Sequence, residues 1–276
     1  MIHGLKVVTN YLLGTDKAER NFAVYPDDTF VVSYPRSGNT WTRFLIANLI
    51  HPDKNVSFAN IEQLIPDTAS QSSLALKRTP RPRIIKTHEY FDHRYPRTIY
   101  IVRDPRDVAL SYYDFQRKYR QIEDNHPLER YVEDFVLGRL ISSSWGTWSE
   151  NVASWLFTRG ERENFLLLRY EDMMQDTVAE LVRVALFLGI GADPARLQRA
   201  VELSSADRMR ELEKLESEQW VATRGRRQDI PFIRLAKAGG WRTSLPAACV
   251  HRIESTWGEL MTRLGYGLVS VNRVTT

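Results

Sequence analysis

Short apolar runs, several of them rich in β-branched residues, recur along the chain and predict strands. The run at Arg97–Val102 shows no polar alternation, which is typical of a central parallel strand covered on both faces. The predicted strands are Thr29–Val32, Arg83–Thr87, Arg97–Val102 and Phe165–Leu168.

Between these runs, apolar residues fall at helical spacing. Asp104 followed by Pro105 predicts a helix start, with Asp104 as the N-cap and Pro105 at the first helical position. The segment from Pro66 to Arg83 is rich in Ser, Thr and Pro and predicts a loop. The predicted helices are Trp41–Leu49, Asp104–Tyr119, Leu128–Leu140, Trp145–Phe157, Val178–Leu188, Pro194–Leu203 and Ala247–Leu264.

Strands that alternate with helices predict an α/β fold, with a parallel sheet of about five strands between helices on both faces. The sequence has no internal repeat and no Gly/Ser/Pro-rich linker. We therefore expect residues 1–276 to form a single domain.

Composition and charge leave several classes of ligand open. The chain has 43% hydrophobic and 26% charged residues, which is ordinary for a globular protein. Its formal net charge is +4, and basic residues are concentrated at 77–83, 117–120 and 224–227. Such runs occur on solvated surfaces, around polyanionic small molecules and on nucleic-acid interfaces.

The single cysteine, Cys249, excludes an internal disulfide and is compatible with a reducing compartment. The segment Met1–Leu13 lacks the pattern of a signal peptide, and no apolar run approaches the roughly 20 residues that span a bilayer. We therefore expect a cytoplasmic protein with no membrane attachment. The sequence contains no Cys/His cluster of the kind that binds a metal ion, so we expect no metal.

The first strand leads directly into the stretch Ser33–Trp41, whose sequence is SYPRSGNTW. A strand, a tight turn at Gly38 and a helix start bring unpaired backbone N–H groups and the positive end of a helix dipole together. This arrangement binds anions. It is not a standard nucleotide P-loop, because Asn39 lies where that motif has its lysine.

Other polar motifs also follow predicted strands, so we expect them to meet at the carboxyl edge of the sheet, where ligands of such sheets bind. Lys86-Thr87-His88 ends the second strand, and imidazole is well suited to take a proton near neutral pH. Arg103 ends the third strand, with Ser111 two helical turns beyond. Both side chains suit one anion.

The stretches 34–41, 86–88 and 100–113 closely resemble the motifs of cytosolic-type sulfotransferases that use 3′-phosphoadenosine 5′-phosphosulfate (PAPS). The resemblance implies that His88 is the catalytic base and that Lys86 and Arg36 stabilise the transferring group. It also implies a set of cofactor-binding residues, namely Arg36, Ser37, Gly38, Asn39, Thr40, Trp41, Arg103, Ser111, Tyr170, Ser204 and Arg234.

The chain departs from the family pattern at several positions. Arg36 replaces a lysine and keeps its charge, but a planar guanidinium is not equivalent to a compact ammonium. Ala206 replaces an aromatic residue that packs on adenine. The segment Phe232–Arg242 resembles the family's C-terminal motif, in which Leu235, Ala236 and Gly240 replace Lys, Gly and Asp.

The expected reaction is therefore sulfonate transfer from PAPS to a hydroxyl group of a small molecule, without metal, nucleic acid or membrane. The alternatives are a P-loop nucleotide kinase and a non-catalytic protein that binds nucleotide or nucleic acid. The sequence does not specify the oligomeric state.

The acceptor is expected to contact the segments Val56–Pro82, Glu89–Pro96 and Trp220–Pro231. Four aromatic residues are candidates either for an apolar acceptor pocket or for the protein core: Trp145, Trp148, Phe115 and Tyr119.

Overall fold

The computed structural model describes residues 16–140, 144–234 and 237–270. Its sheet has four parallel strands in the order β2-β1-β3-β4, where the sequence predicted about five. The strands are β1 (Thr29–Ser33), β2 (Ile84–Thr87), β3 (Arg97–Val102) and β4 (Phe165–Arg169).

Helices connect and cover the strands. They are α1 (Asn39–Ile50), α2 (Ile61–Leu64), α3 (Ser73–Arg78), α4 (Pro105–Lys118), α5 (Leu128–Val136), α6 (Trp148–Arg159), α7 (Tyr170–Gln175), α8 (Thr177–Leu188), α9 (Pro194–Leu203), α10 (Ala206–Glu216), α11 (Trp241–Ser244) and α12 (Ala247–Arg263).

Most predicted helices are confirmed to within a few residues. Asp104 is the N-cap of α4, and its carboxylate accepts a hydrogen bond from the Arg106 backbone N–H at 2.9 Å. The prediction of a continuous loop over Pro66–Arg83 was wrong, because α3 lies within it. Ser72 caps that helix by accepting a hydrogen bond from the backbone N–H of Ala75.

Successive residues of the central strands pack into two separate apolar clusters, one on each face of the sheet. Phe30 and Val32 belong to the cluster formed with α4, α5, α6 and α12. Val31, between them, belongs to the cluster formed with α1, α8 and α9. Burial on both faces explains why β1 has no polar alternation.

The register of the sheet places the predicted site motifs side by side. Val32 of β1 lies opposite Thr87 of β2 and Tyr100 of β3. The residues that follow these strands, including His88 and Arg103, therefore lie at the same carboxyl edge, beside the 34–38 loop.

Among the described residues, no helix is long and apolar enough to cross a membrane.

Candidate active site

The carboxyl edge of the sheet opens into a cavity of about 650 Å³. Most of the residues predicted to bind the cofactor or to take part in catalysis line this cavity. They are Arg36, Gly38, Asn39, Thr40, Trp41, Lys86, His88, Arg103, Ser111, Tyr170 and Arg234. The strand order therefore brings together motifs that are far apart in the sequence.

The turn at Gly38 requires a residue without a side chain. Gly38 has φ +97°, a left-handed conformation that glycine adopts readily, and a Cβ there would lie 2.5 Å from Cδ2 of the Tyr170 ring. Gly38 also forms the N-cap of α1 without a side-chain capping bond. The first-turn N–H groups of α1 thus remain available for an anion.

The side chain of Asn39 links this loop to β1. Its side-chain amide donates to the Val31 carbonyl at 3.3 Å and to the Ser33 hydroxyl at 3.2 Å. In a nucleotide P-loop this position carries the lysine that reaches the phosphates. Here the side chain instead fixes the loop to the end of β1.

The charge of the loop comes from Arg36, which also has a left-handed backbone with φ 69°. Its guanidinium donates from Nε to the Ser111 hydroxyl at 3.1 Å and from Nη2 to the Phe232 carbonyl at 3.1 Å. It also lies over the Phe232 ring, 4.4 Å from the centroid. Burial lowers the pKa of Arg36 to about 10, so the group remains cationic at neutral pH.

Arg103 connects the loop with the C-terminal motif. It donates to the Arg36 carbonyl at 3.2 Å and to the Lys237 carbonyl at 3.1 Å, and its guanidinium lies 4.3 Å from the Tyr170 ring centroid. Its Nε is buried without a hydrogen-bond partner. It is one of several buried guanidinium Nε atoms without a partner among the described residues, and a polar ligand in the cavity would satisfy it.

The C-terminal motif is fastened to the same place. The Asp107 carboxylate accepts the backbone N–H of Gly239 at 2.7 Å and of Trp241 at 2.9 Å. Arg234 donates to the Leu110 carbonyl at 3.0 Å and forms an ion pair with Asp114. Leu235 and Ala236, two of the departures from the family pattern, lie outside the described residues.

The segment 220–234 is held over the cavity by a buried pair. Lys118 donates to the carbonyls of Arg227 and Ile230, each at 2.7 Å. Glu213 accepts the backbone N–H groups of Phe232 and Ile233. The sequence analysis did not identify Lys118 or Glu213, because their roles depend on the position of a loop that is distant in the sequence.

His88 has an orientation that suits a general base. Its Nδ1 lies 2.7 Å from the Ser33 carbonyl oxygen, which can only accept, so we assign the proton to Nδ1. Nε2 is then the basic nitrogen, on a residue that lines the cavity. Trp145 packs edge-on against the ring at 5.5 Å. Burial, with a smaller effect of the Lys86 charge, lowers the His88 pKa to about 3.

This low pKa predicts how stability depends on pH. The ordinary histidine pKa is 6.5, so acid protonates His88 in the unfolded chain before it does so in the folded one. Stability is therefore lost as pH falls from about 6.5 towards about 3. We expect His88→Gln to lose less stability than the wild type over that window, as measured by thermal unfolding at a series of pH values. The matched control is His93→Gln, which replaces an exposed histidine. If the stability of His88→Gln and of the wild type depends on pH in the same way, the lowered pKa of His88 is contradicted.

Three predicted residues do not face the cavity. Ser204 is fully buried, and its hydroxyl accepts a hydrogen bond from Asn48 at 3.0 Å, while the neighbouring Ser205 lines the cavity. Ser37 is also fully buried. Trp148 is a core residue whose indole N–H donates to the Arg103 carbonyl at 3.1 Å. For Trp148, the interpretation as a core residue was therefore the correct alternative.

The remaining aromatic candidates do line the cavity, as part of an apolar wall. Phe115 stacks on Tyr119 at 4.1 Å between ring centroids, and Phe232 packs edge-on against Trp220 at 4.8 Å. Of the three segments predicted to contact an acceptor, 56–82 and 220–231 contribute lining residues and 89–96 contributes none.

No group of three or more His, Cys, Asp or Glu side chains within the described ranges could hold a metal ion.

A cationic turn at a helix N-terminus, beside a histidine and a lysine at the end of a strand, suits the binding of a phosphorylated ligand. The model of the sulfotransferase domain family matches residues 26–265. The chain therefore belongs to the sulfotransferase family and is an enzyme of that class.

Individual relatives agree with this assignment. Sulfotransferase 1C2 of Oryctolagus cuniculus is 28% identical over 259 residues, with 88% of this chain and 86% of the relative covered. The 3-beta-hydroxysteroid sulfotransferase of Cavia porcellus is 29% identical over 251 residues, with coverages of 87% and 85%.

Solved structures show the same fold. Mouse sulfotransferase SULT7A1 complexed with PAP superposes with a TM-score of 0.72 at 24% identity, with 88% of this chain and 87% of that chain covered. Retinol dehydratase in complex with androsterone and inactive cofactor PAP gives a TM-score of 0.71 at 22% identity, with coverages of 88% and 83%.

Proposed function

We propose that this enzyme transfers a sulfonate group from PAPS to a hydroxyl group of a small, largely apolar acceptor. The observation that carries the proposal is the shared cavity, in which the cationic turn around Arg36 and Arg103 lies beside His88 and Lys86. The solved relatives support the choice of donor, since mouse SULT7A1 and retinol dehydratase were both crystallised with PAP.

The residues of the site suit a donor with two anionic groups. The first-turn N–H groups of α1 and Arg36 would hold the 5′-phosphosulfate. Arg103, with its unpartnered buried Nε, and Ser111 would hold the 3′-phosphate. Tyr170 and Trp41, whose rings meet edge-on at 5.8 Å, offer aromatic faces to the adenine. Gly240, which stands where the family motif has an aspartate, also lines the cavity, so the backbone of this part of the motif still reaches the site.

The proposed chemistry is an in-line displacement at sulfur. The acceptor oxygen forms a new bond to sulfur, and the bond between sulfur and the bridging phosphate oxygen breaks. His88 Nε2 takes the hydroxyl proton, while Lys86 and Arg36 stabilise negative charge on the sulfonate and on the departing phosphate. The products are the sulfated acceptor and adenosine 3′,5′-bisphosphate.

An apolar acceptor is favoured by the aromatic wall of the cavity. Five aromatic residues line the cavity, namely Phe115, Tyr119, Trp145, Trp220 and Phe232, and Trp145 packs edge-on against His88. Retinol dehydratase, which shares the fold, has been crystallised with androsterone and with retinol. These hydroxylated hydrophobic molecules are the chemical class we infer for the acceptor.

The structure offers less support for the alternatives. Asn39 in place of the P-loop lysine speaks against a nucleotide kinase. Several basic residues considered for nucleic acid are engaged by acids: Arg81 pairs with Asp27, Arg83 with Asp28, and Arg227 with Asp124 and Asp229. A cytoplasmic location and a single domain over 1–276 stay predictions from the sequence.

The direct test is to incubate purified enzyme with sulfur-35-labelled PAPS and a panel of phenols, sterols and aliphatic alcohols. We expect labelled product to form together with an equal amount of adenosine 3′,5′-bisphosphate. If the bisphosphate is released at the same rate with and without every acceptor, sulfonate transfer to this acceptor class is contradicted.

A further inference from the structure

An acidic residue that the sequence did not single out contacts one of the proposed catalytic groups. Asp67 Oδ2 lies 2.8 Å from Lys86 Nζ, and both residues line the cavity. The side chain of Lys86 is 8% exposed and that of Asp67 is 15% exposed. A contact so sheltered from solvent is weakly screened and hence strongly electrostatic.

Backbone hydrogen bonds hold Asp67 in place independently of the Lys86 side chain. Its segment runs parallel to β2, where the Lys86 backbone N–H donates to the Pro66 carbonyl at 2.8 Å and the Thr68 N–H donates to the Lys86 carbonyl at 3.1 Å. Oδ1 of Asp67 accepts the Ala69 N–H at 2.9 Å. The backbone therefore fixes the carboxylate, and the lysine side chain is oriented towards it.

The other charged groups around Lys86 do not replace Asp67. Arg43 of α1 and His88 lie nearby, and Glu62 of α2 is the other acid on this side. Glu62 is already engaged, because it pairs with Arg43 at 3.1 Å and accepts from the Asp67 N–H at 3.1 Å. Asp67 is thus the acid that directly neutralises Lys86.

We propose that Asp67 is a positioning residue for sulfonate transfer, which keeps the buried Lys86 charged and holds its ammonium group beside His88. This inference rests on the proposed function, in which Lys86 stabilises the transferring sulfonate. A neutral amine would provide far less stabilisation of that developing charge.

The electrostatics of the pair agree with this role. Burial lowers the pKa of Lys86, and the charge and hydrogen bond of Asp67 oppose that decrease. Burial is the largest single influence on Asp67 and raises its pKa, but the charge and hydrogen bond of Lys86, together with the other nearby cationic groups, bring the pKa below its ordinary value. Removing the carboxylate leaves burial and the charge of Arg43 lowering the pKa of Lys86, with the smaller effect of Glu62 opposing them. Its proton is then lost at lower pH.

The first experiment measures this titration without any turnover. Lys86 in the protein without PAPS is labelled with acetic anhydride at a series of pH values, and its acetylation is quantified by mass spectrometry. We expect the midpoint in Asp67→Asn to lie at least one pH unit below that of the wild type. Lys86 would then react about tenfold faster at pH values where both proteins are mostly protonated.

The matched control for this labelling is Asp27→Asn, which removes an exposed carboxylate that pairs with Arg81 at the surface. Its Lys86 midpoint should equal that of the wild type. Unchanged midpoints in both variants would overturn the inference, whether or not the enzyme uses PAPS.

The second experiment follows PAPS-dependent turnover against pH. In Asp67→Asn the alkaline decrease of kcat should begin at lower pH than in the wild type, while the dissociation constant of adenosine 3′,5′-bisphosphate stays unchanged. Asp67→Glu, which restores the charge, should recover most of the alkaline activity. A loss of kcat that is equal at every pH would contradict the proposal that Asp67 keeps Lys86 charged.

The two experiments separate the two proposals. If the Lys86 midpoint shifts in Asp67→Asn but the wild type shows no PAPS-dependent transfer, the proposed function alone is contradicted. A wild type that is active and whose Lys86 titration does not respond to Asp67→Asn would contradict the role of Asp67 alone.

Discussion

Replacement of His88 by alanine is expected to lower kcat by about 10²- to 10⁴-fold, the usual contribution of a general base. The imidazole is oriented by its Nδ1 contact with the Ser33 carbonyl at 2.7 Å, and alanine cannot accept the acceptor proton. The dissociation constant of adenosine 3′,5′-bisphosphate should stay unchanged, because binding of that product requires no proton transfer. The measurements are steady-state kinetics with PAPS and calorimetric titration with the bisphosphate.

The matched control is His93→Ala, which removes an exposed histidine that does not line the cavity. It should retain wild-type kcat. An His88→Ala variant whose kcat falls less than tenfold, or whose bisphosphate affinity falls as much as its rate, would show that His88 does not act as the base.

Arg103→Ala is expected to weaken bisphosphate binding by about 10- to 100-fold. Hydrogen bonds to charged groups contribute about 1.5–3 kcal/mol, and each 1.4 kcal/mol corresponds to a tenfold change in affinity. The variant also loses the contacts of Arg103 with the Arg36 and Lys237 carbonyls, which join the loop at β1 to the C-terminal motif. Calorimetry on the purified variant measures the effect.

The control for this change is Arg252→Ala, an exposed arginine on α12 that does not line the cavity. Its bisphosphate affinity should equal that of the wild type. Comparison of the affinities for the bisphosphate and for ADP, which lacks the 3′-phosphate, shows which phosphate loses its contact. The preference for the bisphosphate over ADP should shrink in Arg103→Ala. A preference that persists in full would place the 3′-phosphate elsewhere.

The strands and the motifs at their ends could be predicted from the sequence because local patterns determine both. Unbroken apolar runs predicted β1 and β3, and the Asp104-Pro105 pair predicted the start of α4. Once the strands are parallel, the residues after them must share one edge. His88 and Arg103 could therefore be assigned to one cavity without knowledge of any contact between them.

Residues whose role depends on tertiary placement could not be predicted in this way. Asp67 lies in a segment that reads as a loop, and only its pairing with β2 brings the carboxylate to Lys86. Lys118 and Glu213 are 95 positions apart, yet both hold the 220–234 segment. Neither contact has a local sequence signal.

The orientation of Ser204 could not be predicted for a related reason, and for Trp148 the sequence left both a pocket position and a core position open. A motif fixes which stretch of chain approaches the cavity but not which side chain of that stretch turns inwards. Ser204 turns towards Asn48 in the core and Ser205 lines the cavity. Trp145, which precedes α6, lines the cavity, and Trp148, the first residue of α6, is buried in the core.

The most direct test of the central claim is a calorimetric titration of the purified protein with adenosine 3′,5′-bisphosphate, with ADP and with Mg²⁺-ATP. A PAPS-dependent enzyme should bind the bisphosphate with a dissociation constant of about 1 µM or below, bind ADP much more weakly and need no Mg²⁺. Equal binding of ADP and the bisphosphate, or tight binding that requires Mg²⁺-ATP, would contradict the 3′-phosphate site at Arg103 and Ser111 and the mechanism built on it.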